Sequence, residues 1–431
     1  MKKIATAMAI IGIIGLLALS ALEGTPEPYN SAVTGKGDPT YDVKAVQDAV
    51  IQGGTVLLKG AFDFGADGRV NIANDVKIIG ETDSQGKPLT KILGGKWTFY
   101  SPLPSPLLAP EAPGPKITIQ GIHFDGAVWT PIHLAYTSGA EILGNKITNV
   151  VPYGIPSHEN PYKWKGLEGW ETMWIQQGAV LATTYTAGDK YLPGAVTGLF
   201  IFENNEVDLE SDKPQVTLGQ GVYFKWTTGA TIQIRGNVFK NVSRNSIECL
   251  NNYLDQEGHG TVTIKANKVI TSVVGFPLPS PSTPNGIIAG WFPDVSAGAD
   301  PTRNSKIVVM HNYIEVRGDT SVGIMLLSDQ AVAACNDIVT GGGSKATGIV
   351  QMGSNGLIAN NKITGSGLCA LYVLPYGALV GSGNKFVLNN VSQFKASIAD
   401  VILKGNNNVL LGKSCTVSDQ AKGNQILQED K

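Results

Sequence analysis

Charge is scarce in this chain of 431 residues: Asp, Glu, Lys and Arg make up only 16% of it, and the formal net charge is −2. No basic stripe or block stands out. That removes nucleic acid as a partner, because neutralising a phosphate backbone takes clustered Lys and Arg. Cysteine is just as sparse. Cys249, Cys335, Cys369 and Cys415 are too few and too scattered for a disulfide framework, so they are expected to pack as buried thiols. No pair of carboxylates stands out as the acid and base that glycoside hydrolysis needs. No cluster of Asp marks a calcium loop either. No cofactor is therefore expected; a calcium ion would have to draw on Asp63, Asp67 and Asp75, which are scattered over early turns.

Glycine, at 52 residues, is abundant, and with it runs a recurring phrase built on asparagine. It reads Ile-Arg-Gly-Asn237-Val-Phe, Ile-Lys-Ala-Asn267-Lys-Val, Val-Met-His-Asn312-Tyr-Ile, Ala-Ala-Cys-Asn336-Asp-Ile, Ile-Ala-Asn-Asn361-Lys-Ile and Gly-Ser-Gly-Asn384-Lys-Phe. Asn145 and Asn205 belong to the same series upstream. The steps from Asn237 to Asn384 are 30, 45, 24, 25 and 23 residues. Periods of this length mark repeat architectures, and the shortest suit a coil of parallel β-strands. Asn tolerates left-handed backbone, and its amide can reach the turns above and below when rungs stack about 4.8 Å apart. The ladder is scaffold.

Taken in order, the chain opens on Lys2-Lys3 and an apolar run from Ile4 to Leu19 that ends in Ser20-Ala21. Residues 1–21 thus have the form of a secretory signal. The expected location is secreted, periplasmic or cell surface, with membrane attachment only if the segment stays uncleaved. Residues 22–40 form an extended lead-in. A helix is expected over Asp42–Ile51, with Asp42 as N-cap and Val43, Val46 and Val50 on one face, placed to cover the open first rung of a solenoid. The coil itself should occupy residues 41–415, with a tail over 416–431. Pro-rich stretches at 101–115 and 276–284 should leave the coil as loops, and 152–195 reads as a long insertion rich in Trp and Tyr.

The run DVKAVQDAVIQGGTVLLKGAFDFG, then VKIIGE, then ITIQGIHFDGA, resembles the opening of right-handed parallel β-helix proteins of the pectate-lyase-like superfamily. The closing ILKGNNNVLLG and AKGNQI resemble the end of the same group. The resemblance spans roughly residues 41–426. It implies an all-β fold, a right-handed single-stranded parallel β-helix with an N-terminal capping helix, and leaves the activity open, because this scaffold hosts lyases, hydrolases, adhesins and inert surface proteins. Gly258-His259-Gly260 resembles a polygalacturonase motif, but the Asn-Thr-Asp, Asp-Asp and Arg-Ile-Lys motifs that accompany it are absent.

Overlaying the rungs puts Val222, Ile247, Ile287, Ile324, Ile349 and Leu371 in one inward column. Alternation then turns Tyr223, Glu248, Ile288, Met325, Val350 and Tyr372 outward, with Lys225, Leu250, Gly290, Leu327, Met352 and Leu374 two residues further on. His133 points outward on an earlier rung. Lys225, Tyr223, His133, Arg244 and Glu248 form the candidate catalytic set. β-Elimination on a uronate glycan needs a base and a cation to neutralise the carboxylate. Lys225, Tyr223 or His133 would serve as base and Arg244 as neutraliser; the bland alternative is an ordinary solvated face. Trp164, Trp170, Trp174, Trp226 and Trp291 are the candidate sugar-stacking residues. The apolar outward face of the later rungs (Ile288, Met325, Leu327, Val350, Met352) is either covered by its own chain or meets a second copy in a homo-oligomer. The reading is an exported β-helix protein that binds or degrades an extracellular or envelope polysaccharide; the alternative is a non-catalytic surface or adhesion protein.

Overall fold

The computed structural model describes residues 29–104, 113–128, 130–150, 178–183, 194–209, 219–242, 244–272, 284–293 and 299–429. These wind into a coil whose strands stack in three sheets of 14, 11 and 12 strands, called A, B and C here. One turn runs through Thr231–Arg235 in sheet A, Val238–Lys240 in sheet B and Asn245–Leu250 in sheet C. The next repeats the order with Thr261–Lys265, Lys268–Ser272 and Asn285–Gly290, each strand parallel to the one before. Parallel crossovers keep one hand, and the chain is a right-handed parallel β-helix, the fold of pectate-lyase-like proteins.

The interior is a single apolar column. Ile232 and Ile234 enter from sheet A, Phe239 from sheet B and Ile247 and Cys249 from sheet C, all essentially fully buried. Where the chain turns from sheet B into sheet C the backbone passes close to its neighbours. A Cβ at Gly323 would meet Ile338 Cγ2 at 2.5 Å and Gly348 O at 2.6 Å, and Gly221, Gly286 and Gly348 meet equivalent neighbours one rung apart. These glycines leave room for the sheet B core residue beneath them.

Between sheets A and B stands the asparagine ladder. Asn205 donates from Nδ2 to Asn237 Oδ1 (3.1 Å) and to Ile142 O (2.8 Å), while its own Oδ1 accepts from the Asn145 backbone (2.9 Å). The same pattern carries on through Asn267, Asn312, Asn336 and Asn361. From Asn361 it passes to Asn389 (2.9 Å), not to Asn384. Asn384 begins a separate ladder with Asn408 and Asn424 at the corner between sheets C and A. The residue before each ladder Asn takes left-handed backbone: Gly144, Asn204, Gly236, Ala266, His311, Cys335, Asn360 and Leu388 all have φ between 53° and 66°.

Several boundaries differ from expectation. The strand Ser31–Thr34 already pairs into sheet A, so the coil reaches into the lead-in. Helix α1 covers Pro39–Ile51, because Asp38 rather than Asp42 caps it through bonds from Thr40 N (2.9 Å) and Tyr41 N (3.1 Å). Asp42 is instead buried and accepts from Lys36 N, Gly37 N and Asp63 N, tying the helix to the first rung. Val46, Ala49 and Val50 seal the core end. Within the expected insertion, Gly178–Thr183 is a full rung of sheet C. The expected tail contributes Val417–Asp419 and Gln425–Glu429 to the coil. Cys249 and Cys369 are buried free thiols, but Cys335 is exposed, since it holds a turn position. The N-terminal segment 1–21 lies outside the described residues, as do most of the Pro-rich stretches and of the insertion. Among the described residues no helix is long and apolar enough to cross a membrane.

Candidate functional site

The register confirms the outward column. Tyr100 pairs with His133, His133 with Leu181, Leu181 with Tyr223, Tyr223 with Glu248 and Glu248 with Ile288. Met325, Val350 and Tyr372 follow. The candidate set is therefore split. Tyr223 and Glu248 are immediate neighbours, whereas Leu181 separates His133 from them.

The second departure is burial. Every residue of Gly178–Thr183, Gln220–Lys225 and Asn245–Leu250 is buried, so both faces of sheet C are covered here. Tyr223, Lys225 and Glu248 expose 2%, 5% and 3% of their surface, which rules out the ordinary solvated face. A charged side chain in such a place must be held by polar neighbours. Glu248 Oε2 accepts from Gln220 Nε2 (2.5 Å) and from the Asn245 amide. Asn245 Oδ1 in turn accepts from Asn285 Nδ2 (2.8 Å), whose Oδ1 takes the Val322 N–H (3.0 Å). This amide chain was not foreseen; its signal is the Gln or Asn that starts three successive strands of sheet C. Lys225 shares a column with Thr183 and Leu250, and its Nζ lies 5.2 Å from the Trp226 ring centre. Arg244, half-buried just before its strand, accepts from Asn285 N through its backbone carbonyl (2.6 Å). Three buried groups in this region, Thr183 Oγ1, Gln220 Oε1 and Ser246 Oγ, find no hydrogen-bond partner among the described residues.

Toward the N-terminal end the same face carries an aromatic group that sequence inspection missed. Trp97 and Tyr100, both half-buried, have ring centres 5.1 Å apart, and the His133 ring lies 4.9 Å from Trp97 and 5.1 Å from Tyr100. The exposed Arg69 guanidinium sits 5.8 Å from the Trp97 ring and 5.4 Å from that of Tyr100. Burial raises the Tyr100 phenol above its usual range against the opposing pull of Arg69. Burial also pushes the His133 imidazole down to about 3. The Thr183 backbone opposes that shift, yet neither ring nitrogen makes a hydrogen bond of good geometry among the described residues. His133 is thus a buried ring that packs against aromatics, one strand removed from Tyr223, and its lowered basicity makes it a poor general base as it stands. Tyr100 could have been found by extending the outward column one rung back from His133.

The tryptophans are sorted by the same geometry. Trp226 is fully buried beside Tyr253, with ring centres 5.9 Å apart, and is not available to a sugar. Trp291, 4% exposed, belongs to a cluster with Leu250, Leu327, Val350, Met352 and Leu379 on the outside of sheet C. That cluster covers most of the later apolar face with its own chain: Leu327, Val350 and Met352 are buried, and Ile288 and Met325 are partly so. Trp164, Trp170 and Trp174 lie outside the described residues. His259 sits in an exposed turn bonded to Asp255 Oδ2 (2.9 Å), away from sheet C. Asp63 and Asp75 accept from the Gly65 and Lys116 backbones in separate turns, and among the described residues no three candidate ligands converge as a metal site. A cavity of about 730 Å³ lies on the outer face of sheet A, between Asp75, Lys116 and Glu141. None of the candidate catalytic or sugar-stacking residues lines it.

No family model matches the chain, and no curated protein matches it in sequence. Solved structures with a similar course include the A-module of mannuronan C-5 epimerase AlgE6 from Azotobacter vinelandii, at 12% identity, covering 92% of this chain and 98% of that one, with a TM-score of 0.43. The surface protein and adhesin PfbA of Streptococcus pneumoniae is similar at 9% identity over 92% and 100%, TM-score 0.48. The tailspike of E. coli bacteriophage HK620 is similar at 11% identity over 91% and 73%, TM-score 0.49. Likeness at this level carries no residue and no activity across.

Proposed function

We propose that this β-helix protein binds an acidic polysaccharide along the outer face of sheet C, with Arg69, Trp97 and Tyr100 as the accessible end of the site. One observation carries the reading: a guanidinium lies over two half-exposed aromatic rings, and buried polar groups without partners among the described residues follow in the same sheet. Aromatic faces accept the apolar side of a sugar ring. A guanidinium pairs with a carboxylate in two-point fashion. Asn71 and Tyr100, on adjacent strands, are the accessible part of this column beside Arg69 and Trp97, whereas His133, Leu181, Tyr223 and Glu248 beyond them are buried. A secreted or surface location goes with such a ligand.

Catalysis is the narrower claim. If the site turns over, Lys225 or Tyr223 acts as base and Arg244 as neutraliser in a β-elimination. The burial of Tyr223, Lys225 and Glu248 favours the second reading, a binding or adhesion protein without turnover, since a base must reach the proton it removes.

Titration against polygalacturonate, alginate and chondroitin beside neutral glycans separates these readings. The acidic polymers bind and the neutral ones do not; Arg69→Ala weakens binding by about tenfold, the loss of one good interface residue. Silence across the acidic panel removes the proposal. Ultraviolet absorbance from an unsaturated product would establish the lyase, and Lys225→Ala and Arg244→Ala should then each lower turnover by ~10².

A further inference from the structure

The outer face of sheet B carries a second ordered cluster. Lys91, His123, Lys146 and Glu206 form one outward column, and Asp125, Thr148 and Asp208 form the column beside it. Asp125 Oδ2 pairs with Lys91 Nζ (2.7 Å), and its Oδ1 accepts from Asn149 Nδ2 (2.7 Å) and Thr148 Oγ1 (3.0 Å). His123 Nε2 stands 2.9 Å from the same Thr148 oxygen. Burial would raise the Asp125 carboxyl, but the bonds from Lys91, Asn149 and Thr148 outweigh it and hold the group below its ordinary range.

An ionised carboxylate only accepts, so the single Thr148 hydroxyl proton goes to Asp125. Turning that proton toward His123 instead would leave two acceptor oxygens facing each other at 3.0 Å. The Thr148 oxygen therefore accepts from His123, which places the imidazole proton on Nε2 and leaves Nδ1 with its lone pair. Lys146, the next residue along the column, forms no ion pair among the described residues, while Glu206 beyond it is taken up by Lys240 (2.9 Å). An oriented acceptor thus stands one strand spacing from an ammonium.

We propose that His123 and Lys146 form a second acidic-sugar site on sheet B, where Nδ1 accepts from a ligand hydroxyl and Lys146 pairs with the carboxylate of the same sugar. The site rests on the acidic-polysaccharide reading for its ligand class, but shares no residue with the sheet C strip. The charged groups that face His123 are Lys91 on the preceding strand, Asp125 on its own, Lys146 on the next and Glu206 on the one after.

The test follows the side-chain resonances of histidine-labelled protein, five residues in all, on addition of trigalacturonate or neutral trigalactose. The site predicts an Nε2–H tautomer for His123, a shift with the acidic trimer alone, and about fivefold weaker binding in Lys146→Ala, the scale of one exposed ion pair. It also predicts that this binding is lost as pH falls through the titration of His123, because a protonated Nδ1 can no longer accept; a merely electrostatic site would tighten instead. An Nδ1–H tautomer, tightening at low pH, or an unmoved His123 overturns it. If His123 stays unmoved while binding persists and disappears in Arg69→Ala, the sheet C reading survives and this one falls. If nothing binds, both fall.

Discussion

His133 sits 2% exposed between Trp97 and Tyr100, and that placement has a consequence for stability. Unfolded, its imidazole takes up a proton near 6.5; folded, burial delays this to about 3. Between those values the unfolded chain binds more protons, so the contribution is complete above the upper value and shrinks as pH falls toward the lower one. By pH ~5 the loss should be about 2 kcal/mol. Urea midpoints measured from neutral pH downward should therefore fall more steeply for the native chain than for His133→Phe; parallel curves would show that the ring is not buried as described. Side-chain direction was legible here, since strand alternation alone turned His133, Tyr223 and Glu248 outward. Their burial was not, because it depends on what covers the sheet, and alternation within a strand carries no trace of that.

Elements that repeat were easier to read than those that begin or end the coil. The ladder from Asn145 to Asn361 was visible because each rung demands the same amide at the same corner. Asn384 misled because a different corner uses the same residue for the same purpose, with Gly356 N and Asn408 as its partners. The rung Gly178–Thr183 was hidden by its setting within a long stretch rich in Trp and Tyr. One glycine column gives an element-scale prediction. Gly323→Ala forces a methyl group against Ile338 and the Gly348 carbonyl, and overpacking of this kind should cost about 1–3 kcal/mol. Thermal unfolding measures it; an unchanged midpoint would mean that the corner between sheets B and C is looser than the contacts indicate.

Across the whole molecule, a long coil offers three outer faces, and they differ in character. The later rungs of sheet C are apolar and sealed by Trp291 and Leu379; the earlier ones hold aromatic, charged and amide groups. Sequence reasoning named tryptophans that prove buried or lie outside the described residues, and it overlooked Arg69, Trp97 and Tyr100. Arg69 comes from a separate stretch of the early chain and meets Trp97 and Tyr100 only once the rungs stack. The central claim is that an acidic glycan lies on this platform. Oxidative footprinting with and without saturating polygalacturonate tests it most directly. Trp97 and Tyr100 should be modified in the free protein and protected in the complex, with buried Trp226 and Trp291 unreactive in both. Equal modification of Trp97 and Tyr100 in the two states would contradict it.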